Sequence, residues 1–159
     1  MLKQIWALSV LAFSGLTGCT SVTEQAELCA ASGCTQPSRP SGDAKALLKN
    51  ASDIALGRGF RTNVVTTSGR LDSGKSSGFP YLLMPGRKYL VVGLCDTQCA
   101  DLDAGVYEVE GLEIASDTAE DAIPIFELSP DEETTAIIRI KMIRCDLEPC
   151  QYALGVYRE

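Results

Sequence analysis

Residues 87–111 read RKYLVVGLCDTQCADLDAGVYEVEG: an apolar run, an acidic turn bracketed by two cysteines, and a second run rich in β-forming side chains. That stretch commits the chain to two strands joined by a tight turn, and the rest of the sequence supplies partners for them. From Phe60 onward the apolar period is two. Candidate strands fall at 60–67, 81–84, 89–94, 105–109, 112–115, 123–128, 134–143 and 151–157, and most of the gaps carry Gly, Pro, Asp or Ser. The run Ala136-Ile137-Ile138-Arg139-Ile140-Lys141-Met142-Ile143 alternates after its first residues and sends Arg139 and Lys141 outward. Strands at this spacing, with no helices between them, predict a mainly β fold: an antiparallel β-sandwich of jelly-roll type.

One short helix precedes the strands, at 43–57 (DAKALLKNASDIALG). Ala44, Leu47, Leu48, Ala51, Ile54 and Ala55 fall at helical spacing on one face. Ser41 or Asp43 can cap its start, and Gly57 can end it in the left-handed conformation. Its expected role is to pack against a sheet or to cover an edge.

Seven cysteines in 159 residues divide into Cys19 alone and three close pairs, Cys29/Cys34, Cys95/Cys99 and Cys145/Cys150. That arithmetic fits an exported, oxidised protein whose odd cysteine has another use. Six cysteines allow 15 pairings. Closeness in sequence favours disulfides within each pair, with bridging between the 95–99 and 145–150 turns as the alternative. For Cys29 and Cys34 the alternative to a local staple is capture of a partner's cysteine. Zinc is disfavoured by the spacings, by oxidation outside the cytoplasm, and by the absence of any histidine.

The first eighteen residues have the shape of a signal peptide: Lys3, the apolar run IWALSVLAF, then small residues. The run is too short for a membrane-spanning helix of about 20 residues. Leu16-Thr17-Gly18-Cys19 resembles the lipobox of bacterial lipoproteins at all four positions. The resemblance implies lipidation of the Cys19 thiol with diacylglycerol, cleavage before Cys19 and acylation, including palmitate, of the new amino terminus. Several acyl chains anchor stably because each buried methylene contributes about 0.8 kcal/mol. Thr20 is not the Asp that retains such lipoproteins in the inner membrane, so the resemblance points to the outer membrane of a Gram-negative bacterium. The expected organisation is a signal peptide at 1–18, a lipidated tether rich in Ser, Thr, Ala, Gly and Pro at 19–42, and a sandwich domain with its leading helix at 43–159.

A second resemblance rests on YLVVGLCDTQCADLDAGVYE, the following GLEIASD, and a late strand ending CDLEPCQYALGVY. Together these resemble the pre-peptidase C-terminal domain family and related bacterial envelope proteins, over roughly residues 60–157. The resemblance implies a β-sandwich of jelly-roll type, often appended to secreted peptidases, although no peptidase domain accompanies it here.

Chemistry is thinly marked. The formal net charge of −7 disfavours nucleic acid as a partner. Removing the signal peptide takes away Lys3 and no acidic residue, leaving −8. Without histidine the usual general base near neutral pH is missing, and no S-x-x-K or G-x-S-x-G pattern marks a nucleophile. Gly69-Arg70-Leu71-Asp72-Ser73-Gly74-Lys75-Ser76 fits the phosphate-binding pattern G-x-x-x-x-G-K-[ST], but Gly78 and Pro80 oppose the helix that must follow. A flexible hairpin loop is the expectation there. Asp96, Asp101 and Asp103 crowd one turn, and Asp101 and Asp103 share a face if Leu102 points to the core. Such carboxylates could begin a calcium cage or a glycan site; equally, they could bond to their own backbone in an acidic turn. The function expected is that of a non-enzymatic envelope lipoprotein, a binding or structural module for an envelope protein or glycan. Its alternative is a calcium- or glycan-binding domain using the 96–103 turn.

Overall fold

The structure is a computed structural model that describes residues 43–159. Helix α1 (Ala44–Gly57) is followed by strands β1 (Thr62–Leu71), β2 (Ser76–Leu83), β3 (Tyr89–Cys95), β4 (Cys99–Glu108), β5 (Glu113–Asp117), β6 (Ile125–Leu128), β7 (Thr134–Cys145) and β8 (Cys150–Arg158). They form two four-stranded antiparallel sheets, β1-β8-β3-β6 and β2-β7-β4-β5. The pairings nest: β4 with β5, β3 with β6, β2 with β7, β1 with β8. Only the β4–β5 turn stays within a sheet; every other connection crosses from one sheet to the other. The fold is therefore the expected mainly β sandwich, with one helix among the described residues.

Alternation explains the core. On β7, Ala136, Ile138, Ile140 and Met142 are buried while Arg139 and Lys141 are exposed. They meet Leu102, Ala104 and Val106 of β4, and Tyr89, Val91, Tyr152, Leu154 and Val156 from the facing sheet. β3 breaks the alternation because both its faces are covered. Leu90, Val92 and Leu94, on the face away from this core, pack with Tyr157 and Phe60 against Ala51 and Ala55 of α1. The helix thus covers a sheet face rather than an edge.

Asp43 caps α1, its carboxylate accepting from the Lys45 N–H at 3.1 Å. The helix end differs from expectation. Gly57 is still helical, and the positive φ falls two residues later, at Gly59 (93°). There the Gly59 N–H donates to the Leu56 carbonyl and the Phe60 N–H to the Ala55 carbonyl, which closes the last turn and buries Phe60. Burial of Phe60 fixes the stop, since it must reach the cluster that Ala51 and Ala55 also join.

Three strands outrun their sequence signals by about four residues or more. β1 continues to Leu71, β2 starts at Ser76 and β4 starts at Cys99. β2 accommodates Pro80 because it is an edge strand, paired on one side only, with β7.

Candidate functional site

The two cysteine turns lie side by side at one end of the sandwich. Cys95 is bonded to Cys99 and Cys145 to Cys150, and each bridge closes a turn that crosses between sheets (β3–β4 and β7–β8). Pairing within each turn is thus observed for these four. Asp96 ties the turns together. Its carboxylate, nearly buried, accepts from the Gln98 N–H of its own turn (3.1 Å) and from the Gln151 N–H of the other (2.9 Å), while its own N–H donates to the Gln151 carbonyl (3.0 Å). Asp146 returns a backbone bond to the Gln98 carbonyl. Both Asp96 oxygens are therefore spent on backbone donors, as in an acidic turn stabilised by its own side chain. Cys19, Cys29 and Cys34 lie outside the described residues.

Asp101 and Asp103 belong to strand β4 rather than to the turn. Leu102 between them is fully buried, and its N–H donates to the Asp121 carbonyl (2.8 Å). Asp101 sits at an irregularity in the β4–β7 pairing, opposite Arg144, and is only 8% exposed. Its Oδ1 is buried with no hydrogen-bond partner. Asp103 pairs with Lys141 across the strands; burial raises its pKa above the usual carboxylate value, and the charges of Asp101 and Asp117 add to the rise while Lys141 opposes it. Among the described residues, no group of three or more Cys, Asp or Glu is placed to hold a metal ion.

The 69–76 stretch is a corner, not a hairpin and not a phosphate cradle. Gly69–Leu71 ends β1 in one sheet and Ser76 begins β2 in the other. The N–H groups that would have to face a phosphate are already engaged: Ser73 donates to the Glu148 carboxylate (2.8 Å), Gly74 to the Met142 carbonyl (2.7 Å) and Lys75 to the Asp72 carbonyl (3.0 Å). The bonds from Ser73 also hold the Glu148 carboxyl below its ordinary pKa.

On the exposed face of the second sheet, Arg139 lies over the Tyr107 ring at 4.7 Å. With Asp103 and Lys141 they border a shallow hollow of about 200 Å³. The Tyr107 ring folds back over Gly105, where a Cβ would come within 2.6 Å of the tyrosine hydroxyl.

The end of the sandwich away from the disulfides has a different character. The β4–β5 turn is pinned by the Glu108 N–H to the Leu112 carbonyl (2.7 Å) and the Gly111 N–H to the Glu108 carbonyl (2.9 Å), with Gly111 at φ 94°. This geometry lifts Val109 (63% exposed) and Leu112 (66%) into solvent. Beside it a cleft of about 240 Å³ has Leu83, Ile114 and Pro130 as apolar walls and Glu108, Asp131 and Glu132 at its lip. Leu82 and Met84, next to Leu83, are exposed as well.

No family model matches the chain, and no curated protein sequence matches it. Among solved structures, it is similar to the crystal structure of Aeromonas hydrophila PliG, a periplasmic lysozyme inhibitor of g-type lysozyme. The TM-score is 0.45 and the identity 9%, over 60% of this chain and 85% of that one.

Sequence reasoning passed over the cleft entirely. Val109 and Leu112 read as ends of strands, and the acids around 131–133 as an ordinary turn. A usable signal was present in Y-E-V-E-G-L-E-I, where apolar residues occupy a turn that polar ones would normally fill.

Proposed function

We propose that the protein is a non-enzymatic lipoprotein of the cell envelope, held at the outer membrane by acyl chains on Cys19, whose sandwich binds another macromolecule. The observation that carries the binding role is this end of the sandwich, where Leu82, Met84, Val109 and Leu112 stand exposed on the strand ends and turns next to those that line the cleft. Grouped exposure of this kind marks an interaction surface more often than it occurs on a surface with no partner. The lipobox at 16–19, the odd number of cysteines and the two disulfides support an exported, anchored protein. Among the described residues no helix is long and apolar enough to cross a membrane, and an anchor of acyl chains needs none. The nested strand order supports reading the sandwich as a jelly roll, in keeping with the likeness to the pre-peptidase C-terminal family.

Two experiments test this. Palmitate labelling should mark the wild type and not Cys19→Ser; unchanged labelling sinks the anchor. A photo-reactive residue at position 112, in living cells, should give a discrete adduct that the same residue at position 147, exposed at the disulfide end, does not give. Equal or absent adducts sink the binding surface.

A second reading has one observation in its favour. The buried, unpartnered Oδ1 of Asp101 is a group that a hard cation would satisfy, with Asp103 as its neighbour, while each Asp96 oxygen already accepts one backbone N–H. Calcium would then stabilise the fold. Thermal melting without any rise at millimolar calcium removes this reading.

A further inference from the structure

Resting on the binding role proposed above, we infer that the cleft end takes a basic protein surface, seating an apolar side chain flanked by Lys or Arg. The floor and the lip require different things of a partner. Leu83, Ile114 and Pro130 offer apolar surface, beside Ser129 and Thr134, to a side chain that can leave water. Three carboxylates line the cleft, Glu108 at the end of β4 and Asp131 and Glu132 on the β6–β7 turn, and Glu110 and Glu133 are exposed next to them in sequence. None of these five has a salt-bridge partner among the described residues. Arg87 and Lys88 belong to the β2–β3 turn at the same end and pair with none of them.

Charge decides between occupants. A second mature copy of this chain, at net −8, would bring the same carboxylates against this rim. A phospholipid surface or a nucleic acid presents phosphates, which the rim repels. A partner with Lys or Arg around an apolar anchor meets no such penalty. It gains steering from the acidic field on approach and charge-assisted bonds at the lip once seated.

The test uses the oxidised, full-length mature chain, titrated and followed by amide chemical shifts. Its probes are a Lys–Leu amphipathic peptide, a Glu–Leu peptide of the same length, and phosphatidylglycerol vesicles. The basic peptide should perturb 82–84, 108–114 and 129–134, and its affinity should fall several-fold as salt shortens the Debye length below about 8 Å. The double variant Glu108→Lys/Glu132→Lys should weaken it by about tenfold or more, with Glu120→Lys, on the β5–β6 connection, as the silent control. A Leu112→Ser variant should weaken it without changing the salt dependence. Equal binding of the acidic peptide, shifts centred elsewhere, or preference for the vesicles would overturn the inference. If the position-112 adduct forms but its partner segment is acidic or neutral, the charge argument fails and the binding surface stands. If no adduct forms, the binding surface itself fails.

Discussion

Asp96 offers a measurable check on how the two disulfide turns are held. Its carboxylate is 9% exposed and accepts two backbone N–H bonds, at 3.1 and 2.9 Å, one from each turn. Hydrogen bonds to a charged acceptor contribute about 1.5–3 kcal/mol each, and a donor left unpaired in a buried place adds its own desolvation cost. The two bonds are not independent, so Asp96→Ala should lose about 3 kcal/mol rather than their full sum. Asp96→Asn keeps one neutral acceptor and should lose about 1–1.5 kcal/mol. For a domain of this size the alanine variant should melt roughly 10 °C lower. The assay is urea unfolding at neutral pH with the disulfides oxidised. Asp146→Ala, which removes an exposed side chain from the neighbouring turn, serves as control. The deficit of Asp96→Ala should be the same in EDTA and in calcium, because the carboxylate is engaged by backbone and not by metal. A loss below about 0.5 kcal/mol, or one matched by Asp146→Ala, would refute the reasoning.

Two further expectations follow from packing and charge. The sequence G-V-Y occurs at 105–107 and at 155–157, each time with the tyrosine ring folded over the glycine two residues earlier. Tyr157 is 2% exposed beneath α1, with its hydroxyl 3.2 Å from the Ser52 hydroxyl, whereas Tyr107 lies half-buried on an open sheet face. Gly155→Ala should therefore cost about 2–4 kcal/mol, because the ring cannot move aside, and Gly105→Ala about 1 kcal/mol or less, because Tyr107 can swing outward; equal losses by denaturation would contradict this. Asp103 has a folded-state pKa above its ordinary value, so it binds its proton more tightly folded than unfolded, and stability falls as pH rises through that interval. Asp103→Asn should accordingly raise the unfolding free energy at neutral pH by about a fraction of a kcal/mol after solvent screening, with the gain vanishing below about pH 3. A gain that persists in acid would assign the effect to packing instead.

What the sequence determined is local. Alternation along 134–143 set which side chains of β7 face the core, and the helical spacing of Ala51, Ile54 and Ala55 set the buried face of α1. Short separations of 4 and 5 residues brought Cys95 to Cys99 and Cys145 to Cys150, because a turn that small leaves little choice. The acidic turn around Asp96 was legible for the same reason, since a side chain bonding two residues along needs no distant partner.

Tertiary structure decided whatever depends on which strands become neighbours. The near-continuous apolar run of β3 gave no sign that its second face lies under a helix more than thirty residues upstream. Pro80 lies before the 81–84 strand that the sequence marks, and it fits inside β2 because β2 is an edge. The G-x-x-x-x-G-K-S stretch became a sheet-crossing corner, its N–H groups taken by Met142 and by Glu148 from the other end of the chain. The cleft joins Leu83, Glu108, Ile114, Pro130 and Glu132 from three separate turns and strand ends, so no window of sequence contains it. Period-two patterning fixes which face a residue occupies; the nested pairing of four strand pairs fixes which faces meet, and that information is carried by contacts far apart in the chain.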